Sequence, residues 1–150
     1  MTFDYKDQNW VGRYQTMGST AEKAFLEQYP HAHRLGIDRP DFPVARLPVF
    51  YRQAPDFLLA DGAYEVMGVS SRAKEPTLKV KFEKLDNLRL WDTFGDCYLW
   101  VWDSYRKRST CERVSVWSLL LEREGTVDRF PDNQKPYWSL PIELFPESSG

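Results

Sequence analysis

The sequence predicts a single α/β domain in which a mixed central β-sheet is flanked by helices. Three observations lead to this prediction. Two short apolar runs flank Asp61-Gly62, as in a β-hairpin; residues 77–91 carry apolar side chains at helical spacing; and residues 96–103 form an aromatic and β-branched run. A strand, a helix and a second strand in this order make a right-handed crossover between parallel strands. We therefore expect the sheet to combine parallel and antiparallel pairs.

The composition is that of one soluble globular domain spanning residues 1–150, since 42% of the residues are hydrophobic and 28% are charged. No run approaches the ~20 apolar residues of a membrane span, and the first residues lack the pattern of a signal peptide. Cys97 and Cys111 form no CxxC pair, which disfavours a structural zinc site and favours a reduced, cytoplasmic protein. The net charge of −2 does not decide for or against nucleic acid.

The N-terminal part is predicted to contain an arm and a helix. Residues 1–18 show no regular period, and we expect an arm there. Ser19 and Glu22 have the spacing of a capping box, in which the Ser19 hydroxyl accepts a hydrogen bond from the first turn and Glu22 reaches back to the N-cap. Apolar residues at helical spacing follow until Pro30, so the helix is predicted over residues 20–29.

The next segment is predicted to be mostly irregular. Residues 30–46 contain three prolines and a glycine, and we expect at most one short strand in them. Residues 47–51 are largely apolar and include Pro48. Because proline is tolerated at the edge of a sheet or at the start of a strand, we expect an edge strand there.

The hairpin is predicted to have Asp61 and Gly62 as its two loop residues, which places Asp56 opposite Met67. Side chains alternate between the faces of a strand, so one face of the hairpin carries Asp56, Leu58, Glu65 and Met67. The other face carries Phe57, Leu59, Tyr64 and Val66. Asp56 and Glu65 become diagonal neighbours with ~7–8 Å between their backbones. Two carboxylates at this separation can bind one hard cation between them.

The longest helix is predicted over residues 77–91, after a polar loop over residues 70–76. The apolar residues of its buried face are Leu78, Phe82, Leu85, Leu88 and Trp91. The cations that lie largely off this stripe are Lys79, Lys81, Lys84 and Arg89. Residues 96–103 follow as an interior strand, because their middle is apolar on both faces.

The C-terminal third is predicted in less detail. Arg106-Lys107-Arg108 follows the interior strand in a loop. Residues 114–121 are apolar, and periodicity does not decide between a strand and a helix. Residues 125–135 are predicted to be a loop, and residues 137–141 begin a short terminal segment.

The hairpin and its neighbours resemble the PD-(D/E)XK nuclease superfamily. Pro55-Asp56 begins one strand and Glu65-Val66-Met67 lies on the next, as in the motif that names the superfamily, and Glu22 lies on an upstream helix. With the basic helix downstream, the layout over residues 19–103 is similar to small phage nucleases, Holliday-junction resolvases and TnsA-type transposon endonucleases. The resemblance implies a restriction-endonuclease-like core and a DNA endonuclease that uses Mg²⁺, with Mn²⁺ as a substitute.

The resemblance also implies catalytic roles for Glu22, Asp56, Glu65 and the residue at position 67. Asp56 and Glu65 would hold the metal ion with the backbone carbonyl of Val66, and Glu22 would approach the same ion directly or through water. The bound metal would lower the pKa of a water molecule and neutralise charge on the scissile phosphate. Other hydrolase classes are not supported, since the sequence has no glycine-rich phosphate loop and no recognisable Ser/His/Asp or Cys/His arrangement.

Met67 occupies the position at which the superfamily has a lysine that orients or activates the attacking water. Methionine has no charge to stabilise the transition state and no proton to give. Three explanations stay open. A lysine elsewhere, such as Lys79 or Lys81, reaches into the site; the protein is catalytically inactive; or a deliberate Lys→Met substitution has been introduced.

DNA is the partner that the resemblance implies, bound by a homodimer or by a subunit of a larger DNA-processing complex, in the host cytoplasm if the protein is phage-encoded. The cations expected to contact the phosphate backbone are Arg72, Lys74, Lys79, Lys81, Arg106, Lys107 and Arg108. The main alternative is a non-catalytic nucleic-acid-binding or protein-interaction subunit that retains the nuclease fold, which the high Trp and Tyr content suits equally well. A third alternative is a structural or inhibitor protein whose hairpin matches by chance; Asp56 and Glu65 should then not converge.

Overall fold

The computed structural model describes residues 19–37, 42–69 and 76–146. The predicted N-terminal arm and two of the predicted DNA-contacting cations, Arg72 and Lys74, lie outside these described residues. The described part of the chain forms four α-helices: α1 (Ser19–Gln28), α2 (Val49–Arg52), α3 (Phe82–Phe94) and α4 (Val114–Glu124). The strands are β1 (His33–Arg34), β2 (Phe57–Leu59), β3 (Gly62–Gly68), β4 (Thr77–Lys81), β5 (Cys97–Asp103), β6 (Arg108–Arg113), β7 (Thr126–Arg129) and β8 (Pro136–Pro141). Short 3₁₀ turns occur at Val44–Arg46 and Ile142–Leu144.

The strands form two sheets. The five-stranded sheet has the order β1-β2-β3-β5-β6, and the three-stranded sheet has the order β4-β8-β7. β3 and β5 are parallel, whereas the other neighbours in both sheets are antiparallel. The prediction of a single α/β domain with a mixed sheet is therefore confirmed. So is the interior position of β5, which lies between β3 and β6.

Different helices cover the two faces of the five-stranded sheet. α1 packs on the face that carries an aromatic cluster of Phe25, Phe57, Tyr64 and Trp100. α3 and α4 pack on the other face and share its core, which includes Leu85, Leu88, Leu99, Val101 and Trp117. Tyr64 and Val66 belong to the α1 face, so Glu65 between them points to the α3 face.

The predicted hairpin register is wrong by one residue at the loop. Leu59 pairs with Gly62, and the loop residues are Ala60 and Asp61. Gly62 is required at the start of β3, because its φ is +148° and a Cβ there would lie 2.3 Å from the carbonyl oxygen of Asp96. The change moves each cross-strand partner by two residues, so every side chain keeps its predicted face.

The predicted long helix begins five residues later than expected. Thr77–Lys81 is strand β4, in which Leu78 and Val80 are buried and the residues between them are less so. Leu78 and Phe82 are four residues apart, a spacing that fits a helix and an alternating strand alike. Lys81 has an extended backbone, with φ −61° and ψ 143°, and α3 begins at Phe82.

Three other segments differ from or complete the prediction. The predicted edge strand over residues 47–51 is instead the short helix α2, which starts directly after Pro48. Within the predicted loop over residues 125–135, residues 126–129 form β7, because β8 offers them a pairing partner that local sequence does not reveal. The undecided segment over residues 114–121 belongs to helix α4. The helix predicted over residues 20–29 is confirmed as α1.

Candidate active site on the hairpin

Asp56 and Glu65 meet on the α3 face of the hairpin. Phe57 pairs with Tyr64, so one further step in the same register sets Asp56 directly opposite Glu65 rather than diagonal to it. Their carboxyl groups lie close enough for a shared proton to join them in a hydrogen bond. Glu65 is only 1% exposed, while Asp56 is half-buried at the start of β2. The predicted convergence of these two acids is thus observed, and at closer range than the predicted register gave.

The pair is electrostatically unbalanced. Burial of the Asp56 carboxyl raises its pKa well above the usual range, and the neighbouring charge of Glu65 and the hydrogen bond between the two acids raise it further. The charge of Lys84 and the backbone N–H of Val66, which donates to Oδ2 of Asp56 at 2.9 Å, lower this pKa. Two carboxyl groups this close repel each other when both are ionised. A proton or a cation between them would therefore be stabilising.

Lys84 places an ammonium group against Glu65. It lies in the first turn of α3, and its Nζ donates a hydrogen bond to Oε2 of Glu65. Sequence reasoning grouped Lys84 with the cations off the apolar stripe and did not propose it for the site. One signal could have identified it: Lys84 precedes the buried Leu88 by four residues, and residues at this spacing share a helix face.

The two lysines proposed as substitutes lie elsewhere. Lys79 and Lys81 are on β4 in the smaller sheet, and their Nζ atoms stand 5.4 Å and 5.5 Å from the ring centroids of Tyr137 and Phe130. Met67 shares the face of Glu65 but is half-buried and packs against the core of that face. The ammonium group observed against Glu65 is that of Lys84.

The structure does not bring Glu22 to this pair. Glu22 lies on α1, which covers the opposite face of the sheet, and its carboxylate accepts two hydrogen bonds from Arg34, at 3.1 and 3.3 Å. The guanidinium of Arg34 also lies 4.5 Å from the ring centroid of Phe57. Glu22 therefore has a complete structural explanation as the buried half of an ion pair.

Asp56 and Glu65 offer a divalent cation two carboxylate donors, which is a small donor set from the protein. Among the described residues no group of three or more His, Cys, Asp or Glu side chains could hold a metal ion. Mg²⁺ needs no such group, since it is commonly bound by one or two carboxylates with water and substrate phosphate completing the shell. The mutual repulsion of the two carboxyl groups is the feature that a cation would relieve. The Val66 carbonyl as a further ligand stays a prediction.

Arg106 and Lys107 lie at the turn between β5 and β6, whereas Arg108, predicted in the loop, is the first residue of β6 and pairs with Asp103. Arg106 has a structural role at this turn. Its Nε pairs with the buried carboxylate of Asp103 and its Nη2 donates to the carbonyl of Ile142 at 2.9 Å. Lys107 and Arg108 are exposed. β6 is an outer strand of the sheet, separated from β3 by β5.

Comparison of the chain with models of protein families, with curated proteins and with solved structures gave no match. The helices of the described residues are at most 13 residues long, and none has the length and apolar character that crossing a membrane requires.

Proposed function

We propose that this protein is a metal-dependent DNA endonuclease of the PD-(D/E)XK type, with Asp56, Glu65 and Lys84 as its catalytic residues. One observation carries the proposal: two acids meet on one face of a hairpin, and a lysine from the helix that follows contacts one of them. A restriction-endonuclease-like core is part of the proposal. It is supported by the hairpin β2–β3, the helix α3 and the strand β5 parallel to β3.

In this proposal the chain's own residues prepare the site. Asp56 and Glu65 would hold Mg²⁺ or Mn²⁺, which when bound acidifies water and neutralises charge on the scissile phosphate. The backbone N–H of Val66 orients the Asp56 carboxylate. Lys84 pairs with Glu65 and would bring a positive charge to the place where negative charge develops on the phosphate.

DNA is the proposed substrate, with its phosphates contacted by Lys79 and Lys81 on β4. Their alternation with the fully buried Leu78 and Val80 turns both lysines away from the core. Tyr137 and Phe130 beneath them add aromatic surface, a combination suited to nucleic acid. A homodimer or a subunit of a DNA-processing complex in the cytoplasm remains the proposed setting.

The test is cleavage of linear, nicked and branched DNA with Mg²⁺ or Mn²⁺. The unaltered protein should cleave at least one of these substrates, and Asp56→Asn or Glu65→Gln should lower the rate by about 10³-fold or more, because each removes a metal-binding charge. Asp86→Ala is the matched control, since Asp86 is exposed on α3 and should leave the rate unchanged. Absence of cleavage and of metal binding in both the unaltered protein and Met67→Lys would reject the proposal.

The alternative of a non-catalytic DNA-binding or protein-interaction subunit rests on Met67, which stands where the superfamily has lysine. It predicts salt-dependent DNA binding that survives Asp56→Asn and Glu65→Gln, with no cleavage even after Met67→Lys. Cleavage that depends on Lys84 and is independent of position 67 would reject it.

A further inference from the structure

A hydrogen-bonded clamp joins the segment before Asp56 to the first turns of α3. Nη2 of Arg52 and Nε2 of Gln53 both donate to Oε1 of Glu83, at 3.0 and 2.9 Å. One turn further along α3, Nδ2 of Asn87 donates to the backbone carbonyl of Gln53 at 2.9 Å. The clamp thus holds the segment through a side chain on each of two successive turns.

The position of the clamp links the two sides of the proposed active site. Gln53 precedes Asp56 by three residues, which span at most ~11 Å of chain, and Pro55 between them is buried. On the helix, Glu83 is adjacent to Lys84 in sequence, and Asn87 lies one turn after it. A shift of α3 along the segment would therefore move the Lys84 ammonium relative to Asp56 and Glu65.

The clamp is built from groups that are costly to leave unpaired. Asn87 is 6% exposed in the middle of a helix, where its amide is costly to leave without a hydrogen-bond partner. Truncation of Asn87 leaves the Gln53 carbonyl without its side-chain donor, and truncation of Glu83 leaves two donors without their acceptor. Lys135, directly before β8, approaches Oε2 of Glu83 at 3.8 Å and adds a weaker ion pair on the exposed side.

We propose that Glu83 and Asn87 are positioning residues, which fix the distance between the Lys84 ammonium and the Asp56–Glu65 pair without touching the substrate. This inference rests on the proposed function for its catalytic consequence. The geometric consequence, that the contact between Lys84 and Glu65 depends on the clamp, can be tested by itself.

The catalytic test compares Glu83→Ala and Asn87→Ala with Glu83→Gln and with the control Asp86→Ala. Both alanine variants should lower the single-turnover cleavage rate at saturating DNA by about 10- to 100-fold, the effect of a misplacement of roughly 1 Å or less. Their KM for DNA should stay within about twofold, because the residues do not bind DNA. Glu83→Gln keeps the Oε1 acceptor and should recover most of the rate, and Asp86→Ala should match the unaltered protein.

The geometric test uses the ¹⁵N-labelled ammonium resonance of Lys84, assigned by its loss in Lys84→Gln, in protein without metal or DNA. We expect the resonance in the unaltered protein and in Glu83→Gln, and a shifted or exchange-broadened resonance in both alanine variants. An unchanged resonance together with an unchanged cleavage rate would overturn the clamp while leaving the proposed function intact. If neither the unaltered protein nor Met67→Lys cleaves DNA or binds metal, the proposed function fails and the resonance alone decides whether the clamp positions Lys84. Equal losses in Glu83→Ala and Glu83→Gln would also overturn it.

Discussion

The two faces of the five-stranded sheet each hold a buried glutamate with a cation, and they differ in charge balance. On the α1 face, Glu22 meets Arg34 through two hydrogen bonds, one acid with one base. On the α3 face, Glu65 meets Lys84, but Asp56 lies within hydrogen-bond reach of the same glutamate, so two acids share one base. In the first arrangement each charge has an opposite partner, so a role in stabilising the fold accounts for it. In the second, the crowding of two acids raises the pKa of Asp56, and strongly perturbed pKa values are concentrated at functional sites.

The largest effect that this comparison predicts is a difference in DNA cleavage between variants of the two cations. Lys84→Gln should reduce the cleavage rate by about 100-fold or more, because the charge next to Glu65 is lost where the phosphate reacts. Arg34→Gln should change it by less than about threefold, since Arg34 belongs to the opposite face of the sheet. Single-turnover cleavage at saturating metal and DNA measures both. Equal losses in the two variants would show that the faces do not differ in function.

The second effect concerns stability, and here the Arg34 variant is the one that should show the loss. Arg34→Gln leaves the mostly buried carboxylate of Glu22 without its partner and should lower the free energy of unfolding by about 2 kcal/mol. This is below the ~3–5 kcal/mol for a fully buried pair, because the Arg34 side chain is 28% exposed. Urea denaturation at neutral pH measures the change. A loss of less than about 0.5 kcal/mol would mean that the α1 pair is held by packing alone.

The third effect is a gain in stability from the unbalanced face. Asp56→Asn removes one of two adjacent acids while its amide can still donate to Glu65 and accept from Val66, so we expect a gain of about 1 kcal/mol at neutral pH. The pKa of Asp56 is raised in the folded state, whereas an unfolded Asp has a pKa of ~3.9. Between these two values the Asp56 carboxyl is protonated in the folded state and ionised in the unfolded state. The free energy of unfolding should therefore fall as the pH rises through the folded pKa, and Asp56→Asn should lack this decline.

Denaturation of both proteins at a series of pH values, without divalent metal, measures this difference. Glu22→Gln is the matched control, because it removes an acid from the balanced face and should destabilise. A destabilised Asp56→Asn protein would show that Asp56 serves the fold more than the site.

Sequence alone predicted which face of the hairpin carries the two acids better than it predicted which other residues contact them. The convergence of Asp56 and Glu65 followed from alternation, and alternation survives a register error that moves partners by two residues. Lys84 was missed because it was grouped with the cations off the apolar stripe, although it lies one turn before the buried Leu88. The partner of Glu22 could not be predicted, since Arg34 reaches it only after the chain turns back into β1. The three-stranded sheet was missed because its pairing depends on contacts distant in sequence.

The smallest expected effect uses the two cysteines, one packed on each face. Cys97 lies in the core of the α3 face and Cys111 packs against the aromatic cluster of the α1 face. Burial, followed by the charge of Glu65, raises the pKa of Cys97 to about 12, and burial with the charge of Glu112 raises that of Cys111 to about 11. Both thiols should react slowly with iodoacetamide at neutral pH, since the thiolate is the nucleophile. The half-buried Cys111 should react first.

Arg34→Gln should increase the rate of alkylation of Cys111 alone by a few-fold, through local opening of the α1 face. Peptide mass mapping would measure this rate. Equal acceleration of Cys97 would mean that the two faces open together. The two faces would then not be independent units, in spite of their different charge balance.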